Sequence, residues 1–418
     1  MYKILVVGGG GREHAILWKL KQGSREVELF CAPGNGGTAQ LAENVPIKAD
    51  DVEGIVDWAK QNGMDMVFVA PDDPLALGMV DALQEAGIRT FGPTKAAAEI
   101  EWSKSYSKWL MKKYGIPTAE FEVFDEADQA IGYLKTAKYP IVVKADGLAL
   151  GKGVLICEDF EQAKQAVSDI MLDKKFGNAG ARVVIEEFMT GPEVSVLTFC
   201  DGKTIVPMLP AQDHKRAYDN DEGLNTGGMG TFAPTLKFTK EMQEYAQKEI
   251  FEKTVQALNA EGRIFKGVIF FGLMLTPDGV KVLEYNARLG DPETQSVFML
   301  LNSDLLEVID AVIDGTLDRM TLDWKDGSAV CVVMASGGYP QKYENGKLIE
   351  GLDSIEDGVV VFHAGTRKEG GKCYTNGGRV LGVTATGKDI ADARKKAYAN
   401  IETINFEDAQ YRTDIGIK

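Results

Sequence analysis

The stretch VVKADGLALGKGV, residues 142–154, says more about the fold than any other part of the sequence. A short apolar strand delivers Lys144, and three glycines with Lys152 then form a turn before a second strand. This pattern predicts a lid that folds over a triphosphate, because ammonium groups offset phosphate charge. It is not a Walker A loop, since no Gly-Lys-Ser/Thr follows at the required spacing. A plain surface hairpin with two lysines would look similar.

Downstream, the stretch VLEYNARLGDPE at residues 282–293 predicts a strand that ends in a Gly-Asp-Pro turn. The two-residue period of a strand puts Glu284, Asn286 and Arg288 on one face. Two oxygen ligands beside a guanidinium suit a magnesium ion bridged to phosphates, with the arginine holding a carboxylate or phosphoryl oxygen. Three polar residues facing solvent would give the same pattern, but the apolar alternate face favours a buried strand.

Between these stretches, VIEEFM at residues 184–189 predicts a strand that runs into a linker, with Glu193 close behind. Free backbone N–H and C=O groups of such a linker can bind the edge of an adenine. Glu186 could accept from the exocyclic amine and Glu193 from ribose hydroxyls. For this fragment alone, glutamates that cap a strand in solvent are the simpler interpretation.

The N-terminal stretch GGGGREH at residues 8–14 lies between a predicted strand and a predicted helix. Glycines allow close approach of an anion, and a helix N-terminus supplies N–H groups and a positive dipole. A dinucleotide fingerprint fails, because Glu13 replaces the third glycine and no acidic ribose ligand follows Cys31. We favour a sugar-phosphate site with Arg12 as charge partner, and a tight turn without a ligand is the alternative.

A fifth group combines QDHKR at residues 212–216 with NTGGMG at residues 225–230. A basic cluster beside a glycine-rich backbone is a plausible cradle for a second, anionic substrate. His214 could carry a proton, although a single histidine in a polar loop is more often only a hydrogen-bonding residue.

The organisation of the chain indicates an α/β and α+β multidomain protein. The first hundred residues alternate apolar strands (Lys3–Val7, Val27–Cys31, Met64–Ala70, Arg89–Gly92) with helices (Arg12–Gln22, Val52–Asn62, Leu75–Ala86), which predicts a parallel sheet. We expect an N-terminal βαβ domain at 1–102, a central domain at 103–325 with a lid subdomain at about 121–188, and a small β-rich domain at 326–418. These boundaries are soft by several residues.

The amino-acid composition limits the kinds of partner that the protein can bind and the cellular compartment in which it is expected. The net charge of −16 disfavours binding to a nucleic-acid backbone, which needs clustered lysine and arginine. The five cysteines have no CxxC spacing, which argues against a disulfide framework or a zinc site. We see no signal peptide and no apolar run near the roughly 20 residues that span a bilayer. The sequence therefore predicts a cytoplasmic protein without a membrane or nucleic-acid partner.

The order of these motifs resembles the ATP-grasp superfamily. Within it, several motifs are similar to those of the glycinamide ribonucleotide synthetase family: GGREHA at 10–15, APGN at 32–35, KADGLALGKGV at 144–154, QDHKR at 212–216, NTGGMG at 225–230, GDPETQ at 290–295, GGYP at 337–340, FHAGT at 362–366 and TNGGRVL at 375–381. The resemblance covers essentially the whole chain. It implies a ligase of purine biosynthesis that uses ATP to join glycine to 5-phosphoribosylamine through an acyl phosphate. It also implies Mg²⁺ or Mn²⁺, and we expect a monomer or a weak homodimer.

The resemblance also implies roles for individual residues. The metal ligands would be Glu284 and Asn286, and the residues at the reacting groups would be Arg288, Lys144, Asp213 and Lys215. ATP would be bound by Lys104, Lys144, Gly151, Lys152, Gly153, Glu186, Glu187, Phe188, Met189 and Glu193. The two other substrates would be bound by Gly9, Gly10, Gly11, Arg12, Asn35, Asp213, His214, Lys215, Arg216, Gly227, Gly228, Met229, Gly230, Arg288, Pro292, Glu293 and Thr294. No general base can be named.

The chain departs from the superfamily pattern at a few positions. Many ATP-grasp enzymes carry an acidic metal ligand on the preceding strand, whereas residues 270–274 (FFGLM) contain no acid. Asp72 stands where relatives often have glutamate, and Leu289 where they often have phenylalanine. The alternatives are another ATP-grasp ligase, such as a formate-using transformylase or a biotin-type carboxylase, and a nucleotide-binding protein that does not turn over. The failed fingerprint argues against a nicotinamide dehydrogenase.

Overall fold

A computed structural model describes residues 1–148 and 153–417 of the chain. The central part of the glycine turn, with the expected ATP contacts Gly151 and Lys152, lies outside the described residues. Within these ranges, no helix is long and apolar enough to cross a membrane.

The N-terminal part is a parallel sheet flanked by helices, as its alternating pattern predicts. Its elements are β1 (Tyr2–Gly8), α1 (Gly11–Leu20), β2 (Val27–Pro33), β3 (Glu43–Asn44), α2 (Val52–Gln61), β4 (Met66–Val69), α3 (Asp72–Leu77), α4 (Met79–Glu85), β5 (Arg89–Phe91) and α5 (Lys95–Trp102). The strand order is β3-β2-β1-β4-β5, with parallel pairs throughout. Ile4, Leu5, Val6 and Val7 are fully buried, because both faces of the sheet are covered.

The structure has two helices in this part where the sequence predicts one. The periodicity predicts a single helix over Leu75–Ala86, but the chain breaks it at Gly78, whose φ is +91°. Only glycine adopts this backbone conformation without strain, so Gly78 both ends α3 and starts α4.

A second, antiparallel sheet covers residues 121–187, the range in which the sequence predicts a lid subdomain. Its elements are α6 (Lys104–Tyr114), β6 (Phe121–Phe124), α7 (Ala127–Leu134), β7 (Ile141–Ala145), β8 (Val154–Cys157), α8 (Phe160–Val167) and β9 (Val183–Glu187), with strand order β6-β9-β7-β8. Helix α6 begins at Ser103, whose hydroxyl accepts from the N–H of Tyr106, and ends at the left-handed Gly115. The carboxylate of Asp146 accepts from the N–H of Ser105 at 2.6 Å, so the lid sheet also caps this helix.

A third sheet and several helices follow along the chain. The chain continues through β10 (Glu193–Asp201), β11 (Ile205–Pro207), β12 (Gln212–Asp213), β13 (Arg216–Tyr218), β14 (Glu222–Asn225), β15 (Gly230–Ala233), α9 (Lys240–Ala246), α10 (Lys253–Ala260), β16 (Lys266–Thr276), β17 (Gly279–Asn286), α11 (Glu293–Leu300) and α12 (Leu305–Asp314). Strands β11-β10-β16-β17 form an antiparallel sheet, and β13 pairs with β14 as a separate hairpin.

The C-terminal part shares a sheet with the central part. Its elements are β18 (Ser328–Ala335), β19 (Leu348–Ile349), β20 (Val359–His363), β21 (Thr366–Glu369), β22 (Lys372–Thr375), β23 (Arg379–Gly387) and α13 (Ile390–Ile401). The sheet order β12-β15-β18-β23-β20 joins two strands from the central part to three from the C-terminal part. This joint sheet crosses residue 326, where the sequence suggests a domain boundary, and local patterning carries no sign of such a long-range pairing.

Candidate active site

The predicted metal ligands lie at the end of strand β17. Glu284 is paired with Gly272 on β16, and Asn286 with Phe270. A Cβ atom added at Gly272 would lie 3.1 Å from Cγ of Glu284. The glycine therefore gives room to the Glu284 side chain on the neighbouring strand.

Four cations surround the Glu284 carboxylate. Burial alone would raise the pKa of Glu284, but the charges of Lys215, Lys144, Lys104 and Arg288 outweigh burial and hold that pKa below its usual range. The Nζ atom of Lys215 lies 4.0 Å from Oε1 of Glu284. Lys144, Lys215 and Arg288 also contact other carboxylates, those of Glu186, Glu193 and Glu101. Protein charges therefore hold these cations around Glu284, where they can also contact a polyanion such as a triphosphate.

The residues present fit a hard divalent cation. Glu284 offers an ionised carboxylate and Asn286 an amide oxygen, which are the ligand atoms that magnesium prefers. Within residues 1–148 and 153–417, no three acidic, histidine or cysteine side chains cluster around a metal-sized position. Two protein ligands match a metal that completes its coordination with phosphate oxygens and water.

A buried ion cluster lies between helix α6 and strands β7 and β9. Oε2 of Glu186 accepts from Lys144 Nζ at 2.9 Å and lies 3.0 Å from Lys108 Nζ. Burial lowers the pKa of Lys108 to about 8, although the charge of Glu186 opposes that shift. Oε1 of Glu186 is buried and has no hydrogen-bond partner among the described residues. It is therefore an open acceptor, as a contact to an exocyclic amine requires.

The sequence analysis missed Lys108. It lies one turn after Lys104 on helix α6, and residues four apart share a helix face. That spacing was available as a signal. Lys104 itself donates from Nζ to the carbonyl oxygen of Gly147 at 3.0 Å, and burial lowers its pKa. It thus lies against the first residue of the glycine turn.

The segment after β9 lies beside a small apolar cluster. Met189 is buried and packs with Ala119 and Met274, with Leu283 against them. Phe188 is 38% exposed, and Glu187 accepts from the N–H of Glu120 at 3.2 Å. This segment therefore combines backbone polar groups with an apolar surface, the two features that an adenine ring needs.

Glu193 is paired rather than free. Its Oε2 accepts from Nζ of Lys215 at 2.6 Å. Burial alone would lower the pKa of Lys215, but the carboxylates of Glu193, Glu284 and Asp213 hold it above its usual range. Lys215 is therefore permanently charged and joins the linker end of the site to Glu284.

Arg288 is held by a residue that the sequence analysis also missed. Its Nη2 lies 3.0 Å from Oε1 of Glu101, at the end of helix α5. Nη2 also donates to Oδ1 of Asn286 at 3.3 Å, and Nη1 to the carbonyl oxygen of Leu289 at 3.3 Å. Nothing in the local sequence marks Glu101, because the contact joins helix α5 to a strand much later in the chain.

Two buried carboxylates lie at the far end of the site. Burial and the charge of Glu293 raise the pKa of Asp213 well above its usual range. Burial likewise raises the pKa of Glu293, whose Oε1 accepts from the hydroxyl of Ser195 at 3.1 Å. Because like charges oppose a second ionisation, this pair keeps a proton to a higher pH than two separate carboxyl groups would.

The glycine segment at residues 227–230 is held by the C-terminal part. Nη1 of Arg379 donates to the carbonyl oxygens of Gly227 and Asp291, at 2.6 Å each. A Cβ atom at Gly228 would lie 2.5 Å from Cδ of Pro292 and 2.8 Å from Oδ1 of Asp213. Arg379, on β23, therefore fixes the segment against the Gly-Asp-Pro turn. The TNGGRVL motif contained it, but no role was assigned to it.

Other predicted substrate contacts serve local structure. His214 and Met229 are buried, and the N–H of Met229 donates to the carbonyl oxygen of His214 at 2.8 Å. Arg216 donates from Nη1 to Gly223 within the β13–β14 hairpin at 2.8 Å. Gly230 pairs with Val332, the hydroxyl of Thr294 donates to Gly290 at 2.5 Å, and Gly153 accepts from the N–H of Ala145 at 2.8 Å.

Protein carboxylates already occupy part of the N-terminal glycine turn. The N–H of Gly10 donates to Oε2 of Glu13 at 2.5 Å, and the N–H of Arg12 to Oδ2 of Asp291 at 3.2 Å. Nε of Arg12 donates to Oε1 of Glu13 at 2.6 Å. The turn lies beside the other motifs, as expected, but two of its N–H groups already have acceptors.

Asn35 braces this turn. Its Nδ2 donates to the carbonyl oxygens of Gly9 at 3.0 Å and His363 at 2.8 Å. Its Oδ1 accepts from the N–H groups of Gly37 and Thr38. The side chain therefore links the turn to the C-terminal part, and its amide is already engaged at both ends.

Comparisons with known proteins identify the family of this chain. Three family models match the chain: the Phosphoribosylglycinamide synthetase N domain at residues 2–101, its ATP-grasp (A) domain at 102–294 and its C domain at 329–418. A phosphoribosylamine–glycine ligase from Allochromatium vinosum is 49% identical over 418 residues, covering 99% of this chain and 98% of that protein.

Solved structures give the same picture. The crystal structure of a phosphoribosylamine–glycine ligase from Thermotoga maritima has a TM-score of 0.86 at 35% identity and covers 99% of both chains. The biotin carboxylase domain of a Hydrogenobacter thermophilus 2-oxoglutarate carboxylase, in complex with MgADP, has a TM-score of 0.76 at 17% identity. It covers 98% of this chain and 91% of that one, and shares the fold alone.

Proposed function

The chain belongs to the phosphoribosylglycinamide synthetase family of ATP-grasp ligases, and from this premise we propose that it joins glycine to 5-phospho-D-ribosylamine. The γ-phosphoryl group of ATP moves to the glycine carboxylate, giving glycyl phosphate and ADP. The amine of phosphoribosylamine then attacks the glycyl carbonyl carbon, and the carbon–oxygen bond to phosphate breaks. The products are the glycinamide ribonucleotide, ADP and phosphate. The step belongs to purine biosynthesis.

The observation that carries this proposal is the charge arrangement at Glu284. Four cations converge on this carboxylate, namely Lys104, Lys144, Lys215 and Arg288. Further carboxylates hold three of them in place. These cations suit the triphosphate and the acyl phosphate, and they stabilise charge without a side-chain nucleophile. Both reacting atoms come from the substrates, so the residues of the chain only bind and orient them.

The ATP-grasp fold uses ATP with a divalent metal, and we assign Mg²⁺ or Mn²⁺ to Glu284 and Asn286. An ion bound there would neutralise part of the negative charge of the phosphates. Arg288 orients the oxygen that is transferred to glycine. Lys144 and Lys104 hold the phosphates, and Lys215 stabilises charge at the reacting carboxylate.

We assign the adenine end of ATP and the other substrates to neighbouring residues. The segment Glu187–Met189 takes the adenine above the apolar cluster, with Glu186 Oε1 as acceptor for the exocyclic amine. We assign to the carboxylate pair Asp213 and Glu293 the proton that leaves the attacking amine. The turn at residues 9–12 receives the ribose phosphate.

We also infer a cytoplasmic enzyme. All five cysteines are unpaired, and Cys31, Cys157, Cys200 and Cys331 are buried. This usage suits a reducing compartment.

The test is ADP release with ATP and magnesium, using phosphoribosylamine generated in situ. Glycine and the amine are omitted in turn. Release that requires both substrates supports the ligase reaction, and release with glycine alone indicates an acyl phosphate lost to water. ATP binding without any release would overturn the proposal in favour of a non-catalytic nucleotide-binding protein.

A further inference from the structure

Glu101 uses both carboxylate oxygens on the segment that carries Arg288. Oε1 lies 3.0 Å from Nη2 of Arg288, and Oε2 accepts from the N–H of Ala287 at 2.7 Å. The residue is buried, at 8% exposure. An ionised carboxylate is costly in such a position unless it is paired, so these two contacts account for its presence there.

The other contacts of Arg288 are weaker. They go to neutral oxygens of Asn286 and Leu289, at 3.3 Å each. Its Nε atom has no hydrogen-bond partner among the described residues. Glu101 is thus the charged contact that sets the direction of the guanidinium, and the same carboxylate fixes the main chain immediately before it.

We propose that Glu101 is the positioning residue for Arg288, holding its guanidinium in the orientation that phosphoryl transfer to the carboxylate substrate requires. This inference rests on the ligase activity proposed above. Arg288 stabilises charge that develops during transfer only if it is already in place, because reorientation during the reaction removes the benefit of preorganisation. A displacement of about 1 Å can lower the rate about 100-fold.

Protonation of Glu101 is expected to weaken this hold. Burial raises its pKa to about 7, with the charge of Asp72 acting in the same direction. The charges of Arg288 and Arg12 oppose the shift, and Lys104 also faces Glu101 from helix α6. The carboxylate is ionised above that pKa and pairs with Arg288, whereas below it a proton occupies one of the two oxygens and the orientation is lost.

The experiment compares Glu101→Gln and Glu101→Asp with the wild-type chain. In Glu101→Gln, the amide oxygen can still accept from Ala287, but the amide N–H groups oppose the guanidinium. We expect kcat to fall about 100-fold while KM for ATP changes less than about twofold, as removal of an interaction used only in the transition state requires. Glu101→Asp keeps the charge, so its kcat should be at least about tenfold higher than that of Glu101→Gln.

The matched control is Glu99→Gln on the same helix. Glu99 pairs with Arg263, away from the proposed site, and its substitution should leave kcat at the wild-type value. In the wild-type chain kcat/KM for ATP should fall as the pH drops through about 7, and this decline should be absent in Glu101→Gln. If Glu101 had a purely structural role, its substitution would lower the unfolding temperature but would leave the pH dependence of kcat/KM unchanged.

Each outcome decides the question. Wild-type kcat in a folded Glu101→Gln overturns the inference. If that variant does not fold, a wild-type kcat/KM for ATP that stays constant as the pH drops through about 7 overturns it. The double variant is a further test. If Glu101→Gln lowers kcat by the same factor in an Arg288→Lys background as in the wild type, the inference fails, because a positioning residue acts only through its partner. An inactive wild-type chain would instead refute the ligase activity itself.

Discussion

Lys108 Nζ lies 3.0 Å from Oε2 of Glu186, and both side chains are almost completely buried. Because Lys144 binds the same oxygen, two ammonium groups share one carboxylate. Lys144 can therefore leave Glu186 for a phosphate while Lys108 still neutralises the carboxylate. Lys108 stays anchored, since it also donates to the hydroxyl of Thr118 at 2.7 Å.

Removal of Lys108 should affect both stability and nucleotide binding. We expect Lys108→Met to lower the free energy of unfolding by about 2 kcal/mol, the usual value of a hydrogen bond to a charged group. KM for ATP should rise, because Lys144 then remains bound to Glu186. Chemical unfolding and ADP release measure the two effects, and Lys112→Met, an exposed lysine on the same helix, is the control. An unchanged KM would argue that Lys144 does not move.

Substitution of Glu284 should abolish turnover without unfolding the chain. In Glu284→Ala the four surrounding cations keep their attraction for ATP, but an oxygen ligand of the metal is lost. We expect kcat to fall more than about 100-fold, with the unfolding temperature retained. Mn²⁺ binding, followed by electron paramagnetic resonance, should weaken in parallel. Asp278→Ala, at the exposed turn of the same hairpin, should change neither quantity, and wild-type activity in Glu284→Ala would exclude the metal assignment.

Arg379 should act on the phosphoribosylamine side of the reaction. Without its hydrogen bonds, the Gly227 segment and the Asp291 turn lose their common anchor. We expect Arg379→Ala to raise KM for phosphoribosylamine about tenfold, corresponding to about 1.4 kcal/mol, with KM for ATP unchanged. Steady-state kinetics with each substrate varied separate the two constants. Arg367→Ala, on strand β21 of a different sheet, is the control, and a rise in KM for ATP alone would contradict this assignment.

Stability should fall below neutral pH because two buried histidines must stay neutral. Burial lowers the pKa of His14 to about 3 and that of His363 to about 4. Nδ1 of His14 accepts from the N–H of His363 at 2.8 Å, a bond that the protonated ring cannot make. In the unfolded chain both rings take up protons below about pH 6.5. Their contribution to stability is therefore complete above that pH and decreases as the pH falls towards 4.

The size of this effect can be measured by chemical unfolding at pH 7.5, 6.5 and 5.5. Each histidine contributes a loss of up to about 1.4 kcal/mol per pH unit below 6.5. His14→Asn keeps an acceptor near the position of Nδ1 and removes one titrating group, so its stability should depend less steeply on pH. Equal slopes in the two proteins would mean that His14 is protonated in the fold as well.

Local patterns predict the elements well and the partnerships between them poorly. The strand period predicts that Glu284, Asn286 and Arg288 share one strand face. Glu284 and Asn286 do lie on β17, but the strand ends at Asn286 and Arg288 lies two residues beyond it. The same reasoning cannot identify Glu101, because its partner is nearly two hundred positions away and neither residue changes the period of its own element. The same holds for Arg379, whose contacts depend on the joint sheet.

The roles of individual residues within one motif are also hard to predict from the sequence. The basic stretch at residues 212–216 looks uniform in the sequence, yet Lys215 faces Glu284 while Arg216 serves its own hairpin. Alternation along a short extended segment separates these two side chains. Arg12 is likewise engaged by Glu13, a neighbour that a motif search treats only as a mismatch to a fingerprint.

The joint sheet has a consequence for biosynthesis of the molecule on the ribosome. Gly230 pairs with Val332 and Ala233 with Ala329, so β15 has no partner on that side until the last quarter of the chain has been translated. The N-terminal parallel sheet and the lid sheet can close earlier, since all their strands precede residue 188. The glycine segment at residues 227–230 is therefore completed last, and a nascent chain stalled before β18 would hold a closed N-terminal sheet but an unfinished substrate cradle.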